Sequence, residues 1–164
     1  MNVGRPWVGA WGILHQGAFR LPAPLPGERY VPLGGDLILM GYSSQPQGGA
    51  RPGDTLVIAP AFWARRPVLR DRVVSVSLIG AAGSWQAQDD SVPALGAVPT
   101  LKWVWGAMVR DPHLFHIPAD AAPGPMTARL IVYDAFTQAP LPLLDPQLAR
   151  LSPAVTLGTW EVRP

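Results

Sequence analysis

The stretch DPHLFHIPADAAPGPMTARLIVYD, residues 111–134, decides the fold class. Its first part alternates: His113, Phe115 and Ile117 interleave with Leu114 and His116. On an extended chain that pattern sends the two sets to opposite faces. Pro118, Pro123, Gly124 and Pro125 then break the run. From Met126 to Tyr133 the chain is again apolar and β-branched, and Asp134 ends it. Two such runs joined by a breaker cluster predict antiparallel β structure.

The same reading extends outward. RVVSVSLI at 72–79 puts Val74, Val76 and Leu78 on one face and Val73, Ser75 and Ser77 on the other, the pattern of a half-buried strand. LILM at 37–40 is continuously apolar, which predicts a central strand covered on both faces. Strands are predicted at 7–14, 36–42, 55–63, 72–79, 85–88, 113–117, 126–133 and 155–162, with turn clusters at 46–54, 80–84 and 118–125. Proline recurs too often for long helices. One helical turn is predicted at 146–151, capped by Asp145 with Pro146 at its start. The expected architecture is all-β, an antiparallel β-sandwich of immunoglobulin or fibronectin-III type with about seven to nine strands.

Composition fits this class. The 164 residues suit one domain, and a chain of that length folds without staples. Cysteine is absent, which excludes disulfides and thiolate metal sites. The 20 prolines and 17 glycines belong to turns rather than to disorder, because 48% of the residues are hydrophobic and seven are Trp. Net charge is +2, too small for a nucleic-acid surface. The densest basic group is Arg65, Arg66, Arg70 and Arg72, expected to be a solvated loop between strands. No stretch has the length of a membrane-spanning helix, and residues 1–16 lack a signal-peptide core.

VGAWGI (8–13) echoes LGTWEV (157–162), with Trp11 and Trp160 in the same place. One explanation is chance. The other makes residues 1–28, a strand and a Pro-rich connector, the end of a preceding similar module, and 29–164 the β-sandwich domain.

From Leu37 onward the chain resembles a family of bacterial β-sandwich domains. These form extracytoplasmic C-terminal regions of multispanning proteins similar to mannosyltransferases, and also occur in tandem or alone. The resemblance rests on LILMGY (37–42), RPGDTLVIAPAFWA (51–64), QDDSVPALGAVPTLKW (88–103), Gly106 with Asp111, IPADAAPGPMTARLIVYD (117–134) and LGTWEV (157–162). It covers residues 36–162. Trp105 departs from the pattern, which is usually polar or proline there. The resemblance implies a sandwich in the cell envelope and names no activity.

Residues able to carry chemistry are few. There is no G-x-S-x-G elbow. His113 and His116 are three apart, so on a strand they face opposite ways and do not share a metal. Asp89 and Asp90 diverge on an extended chain, and turn chemistry is expected of them. A hydrolase would need Asp89, Asp90 or Asp111 to converge with His113 in a cleft. GGARPGD (48–54) is a turn and not a phosphate loop. Trp63 is expected in the core. Trp85, Trp103 and Trp105 are the candidate glycan contacts, since sugars stack on flat aromatic rings. If 103–105 is extended, Trp103 and Trp105 share a face.

The expectation is therefore a non-catalytic accessory or interaction domain of a glycan-related envelope protein. It needs no cofactor or metal. Its partners are envelope glycans or neighbouring modules, with no nucleic acid and no membrane insertion. A carbohydrate-binding module is the alternative, and a hydrolase the second.

Overall fold

The computed structural model describes residues 30–144 and 153–164. They form ten β-strands in two five-stranded sheets: β1 (Val31–Leu33), β2 (Leu37–Gln45), β3 (Gly49–Ala50), β4 (Thr55–Ala64), β5 (Arg72–Ile79), β6 (Gln86–Ser91), β7 (Met108–Arg110), β8 (His113–His116), β9 (Gly124–Asp134) and β10 (Val155–Val162). Helix among the described residues is limited to two 3-10 turns, Ala81–Gly83 and Thr100–Lys102. The predicted strand at 7–14, the helical turn at 146–151 and the burial of Trp11 lie outside the described residues.

The first sheet has the order β1-β2-β4, and β4 pairs on its other side with β8 along Thr55–Ile58 and with β7 along Ala61–Trp63. β7 and β8 are thus one strand line broken at Asp111-Pro112. Pro60 sits opposite the break, where its carbonyl accepts from the Asp111 N–H. A proline in an inner strand is tolerated there because its missing donor falls at the interruption. The second sheet has the order β3-β10-β9-β5-β6. All its pairs are antiparallel except β3 with β10.

One core joins the sheets. Leu39, Ile58 and Phe62 contribute from the first, and Val74, Val76, Leu78, Leu130, Leu157 and Trp160 from the second. The alternation read in 72–79 holds: Val74, Val76 and Leu78 are buried. The apolar run at 37–40 is covered on both faces, as its composition requires. Leu37 and Leu39 enter the shared core, while Ile38 and Met40 join Ala61 and Met108 on the outer face of the first sheet. Trp63 belongs to that outer group and is half-buried, so the expectation that it lies in the main core is corrected. β4 alternates, and Trp63 follows Phe62, which points inward.

Gly158 explains part of the LGTWEV strand. Tyr42 lies so close that a Cβ at 158 would strike its ring and hydroxyl. Tyr42 in turn meets Trp160 edge-on, with ring centroids 5.5 Å apart, and the Trp160 indole donates to Ser44 Oγ at 2.9 Å. The last strand is therefore locked to the end of β2 in the other sheet.

Leu130 is fully buried in the inner strand β9, whereas Leu114 is 53% exposed. Leu130→Ala should cost about 2–5 kcal/mol, and Leu114→Ala should stay within about 0.5 kcal/mol. Urea unfolding of the two variants checks this. Equal shifts would mean that the two faces are assigned wrongly.

Candidate functional site

Titratable side chains converge at the edge where β6 of the second sheet passes β8 of the first. β6 alternates, so Asp89 faces inward and Asp90 outward. Turn chemistry is the expectation for both; both stand on a strand. Asp90 accepts from the Gln88 amide at 2.9 Å on the outer face. Asp89 reaches His113 instead: its Oδ2 lies 2.9 Å from Nδ1. The other ring nitrogen, Nε2, lies 3.0 Å from Oδ2 of Asp111. Asp111 and His113 share a face because they are two apart around Pro112. Both are fully buried, while the Asp89 side chain keeps 32% of its exposure. Asp111 Oδ1 accepts the Ala94 N–H at 2.8 Å and so fastens the loop that follows β6.

Carboxylates facing both ring nitrogens call for two N–H donors, the imidazolium form. Burial alone pushes the His113 pKa down. The hydrogen bond and charge of Asp111, then the charge and hydrogen bond of Asp89, outweigh it, and the net shift is upward from 6.5. A general base needs a free ring lone pair within reach of a proton. In this arrangement neither nitrogen has one. The geometry fastens two sheet edges together. His116 is exposed, so the two histidines do face opposite ways.

The tryptophans do not converge. Trp103 is 2% exposed, packs against Phe62 with centroids 6.0 Å apart, and donates its indole N–H to the Val98 carbonyl at 3.0 Å. It is a core residue with no free ring face, which corrects its placing among glycan contacts. The segment 103–105 is a loop and not a strand, so Trp105, 37% exposed, does not share a face with Trp103. Trp85 is half-buried beside the core at the opposite end of the sheets, its indole lying on Gly80, where any side chain would collide with it.

The arginine cluster divides. Arg65, Arg66 and Arg70 are exposed. Arg72 is not part of a solvated loop. It opens β5, and its guanidinium reaches Asp134 at 2.8 Å and Asp36 at 3.3 Å. Asp36 precedes β2, so this group links the two sheets at one end. The Arg72 N–H also donates to Thr100 Oγ1 at 2.8 Å, and Leu101 N–H approaches Asp71 Oδ1 at 3.4 Å. Asp134 Oδ1 accepts from the backbone of Phe136 and Thr137 at 3.1 and 3.0 Å. The Thr137 N–H is the main cause that holds the Asp134 carboxyl below its ordinary 3.8; burial opposes it, and Phe136 N–H, the Thr137 hydroxyl and Arg72 add to it.

No model of a known protein family matches the chain, and no curated protein is similar to it.

Arg72→Ala leaves Asp36 without its cation and Asp134 with only the exposed Arg70. It should lower the urea midpoint far more than Arg70→Ala, whose guanidinium is 69% exposed and 3.8 Å from Asp134. If the two variants unfold alike, Arg72 does not fasten the sheets.

The two perturbed groups predict opposite pH dependences. His113 has a raised folded pKa, so its contribution is complete below 6.5 and is lost as pH rises through the raised value. Asp134 has a lowered folded pKa, so its contribution is complete above 3.8 and is lost as pH falls through the lowered value. Stability measured across pH should fall on both sides of this window. His113→Gln should flatten the alkaline limb and leave the acid limb. An alkaline limb unchanged in that variant would assign it to another group.

Proposed function

We propose that this chain is a non-catalytic accessory or interaction domain with an immunoglobulin-type sandwich. It belongs to an extracytoplasmic, glycan-related protein of the cell envelope. The observation that carries the non-catalytic part is the engagement of His113 on both nitrogens. It is the one described histidine gathered with carboxylates, and its geometry serves cohesion. The hydrolase alternative loses its base in this reading.

The sheet order supports the immunoglobulin type. Such sandwiches build one sheet around strands A, B and E and the other around C, F and G, with extra strands beside C in the variable type. Taking β2 as A, β4 as B and β7 with β8 as E accounts for the first sheet. Taking β5 as C, β9 as F, β10 as G and β6 as the added strand accounts for the second. The chain leaves the first sheet after β2 and pairs with the second through β3, which brings β3 parallel to β10. The envelope location rests on the resemblance in residues 36–162.

The glycan alternative is weaker, because Trp85, Trp103 and Trp105 do not form one surface. A single stacked ring contributes about 1 kcal/mol.

Two measurements test the reading. Chromogenic glycosides and esters incubated with wild type and His113→Gln should show no turnover that the substitution removes. A turnover abolished by His113→Gln in a folded protein would overturn the non-catalytic assignment. Titration with soluble fragments of envelope glycans should give no saturable binding that Trp105→Ala abolishes. Such binding would put the carbohydrate module in front.

A further inference from the structure

The two ends of the sheets differ in what they expose. At one end β4 and β9 finish and β2, β5 and β7 begin, so the loops 65–71, 92–107 and 135–144 gather there. Among the described residues nine large hydrophobic side chains are exposed, and seven of them belong to these loops; Tyr30 and Leu114 do not. Phe136 is 94% exposed and Leu69 is 83% exposed. Leu101 and Leu95 stand out at 53% and 63%. The loops at the opposite end, 46–54, 80–85 and 117–123, expose none of this kind.

The charges at the same end sort by sign and depth. Arg65, Arg66, Arg70 and Lys102 are exposed. The carboxylates there are buried or half-buried and engaged with neighbours. Asp36 and Asp134 hold Arg72, and Asp71 faces the backbone of Leu101. Among the described residues the nearest exposed carboxylate is Asp90, on the outer face of β6, where Gln88 bonds it. Among the described residues the exposed charges of this end are therefore mostly positive.

The apolar tips are also held in place. Asp134 fixes the turn that carries Phe136, and Thr100, bonded by Arg72 N–H, fixes the turn that carries Leu101. Ordering these tips therefore costs little at the moment of binding. Arg70 and Phe136 line one open cleft whose floor carries Asp71 and Asp134, with Arg70 3.8 Å from the Asp134 carboxylate.

We propose that this loop end docks on a bilayer surface carrying anionic headgroups, with Leu69, Leu101 and Phe136 entering the acyl boundary and Arg65, Arg66, Arg70 and Lys102 meeting the headgroups. Phe136 stands at the rim of its open cleft with 94% of its surface in water. A rigid protein partner would need a matching pocket, whereas a bilayer deforms around it. Exposed apolar groups ringed by cations are the chemistry of interfacial binding. This assignment stands apart from the accessory-domain reading and from the glycan alternative.

The test is flotation of the chain with vesicles of phosphatidylcholine, with and without phosphatidylglycerol. Wild type should float with the anionic vesicles, and salt should weaken the binding. Leu69→Ser with Phe136→Ser should lower the partition by about tenfold or more, since each substitution removes apolar burial. Both sites are exposed, so the fold is spared; its circular dichroism and urea midpoint verify that. Replacing Arg65, Arg66 and Arg70 by Gln should lower the partition by about fivefold per charge and remove the preference for phosphatidylglycerol. Leu114→Ser, on the outer face of β8, should change nothing. Failure of wild type to float, or flotation untouched by the double serine variant, overturns the proposal. So does loss of binding on Arg51→Gln with Arg163→Gln at the opposite end, which would mean attraction without orientation. A dimer in gel filtration that Phe136→Ser dissolves, with no vesicle binding, would assign the end to a second copy of the chain instead.

Discussion

Arg72 is the residue on which most of the organisation at one end depends. Its guanidinium joins Asp36 before β2 to Asp134 at the end of β9, and so ties the first sheet to the second. Its backbone N–H holds Thr100, whose hydroxyl also donates to the Arg70 carbonyl at 3.2 Å. Three loops of separate origin are thereby fixed against one cation. Removing charges from water is costly, and a buried pair repays it only when geometry is good and the remaining polar atoms find partners. Asp134 meets that condition through two backbone N–H groups. The Arg72 network is less a source of net stability than a device that specifies where the loops go.

A second charged clamp closes the edge of the same sandwich. Apolar side chains fill the space between inner strands, yet at the β6–β8 edge the facing residues are Asp89 and His113. An edge open to water on one side tolerates a carboxylate that keeps part of its hydration, as Asp89 does. His113 and Asp111, deeper in, lack that hydration and use each other. The price of burying them is offset by full use of their hydrogen-bonding atoms: both ring nitrogens and both Asp111 oxygens have partners. The clamp also fixes the loop after β6 through Ala94, a residue at φ 56° that needs outside support.

The strands were legible where burial acts on one face. RVVSVSLI and VTLGTWEV coincide with β5 and β10 to the residue, because alternation there records a single buried side. β1, β3 and β7 were not read, being two or three residues long and too short for a period to appear. β6 was only half read. Its sequence, QAQDDS, has almost no apolar signal, since its inward residue is a carboxylate paired with a histidine 24 positions away. Such pairing depends on sheet register, which composition does not carry. The spacing Asp-Pro-His did hold a clue: residues two apart on a strand share a face, so Asp111 and His113 were bound to meet. Spacing puts Trp103 beside Trp105 only on an extended chain, and 103–105 is a loop. A cluster of four arginines suggests one environment, whereas the start of β5 separates Arg72 from the others.

The separation of Arg72 from its neighbours has a consequence for the surface. A cation drawn inward by Asp36 and Asp134 cancels carboxylates that would otherwise face water at the loop end. Among the described residues, Arg65, Arg66, Arg70 and Lys102 are then left with little opposing exposed charge in the loops around them. The same network pins the turns that lift Phe136 and Leu101 away from the core. A soluble monomer gains nothing from a phenylalanine that is almost wholly in water, and burying one is worth roughly 1.5–3 kcal/mol. Loops that were merely unselected would scatter such residues over both ends. Here they are concentrated at the end where the fold also spends its buried ion pairs. The internal electrostatics and the external patch are thus two sides of one construction: acids face inward to hold the loops, and bases with apolar tips face outward to meet an apolar, negatively charged surface.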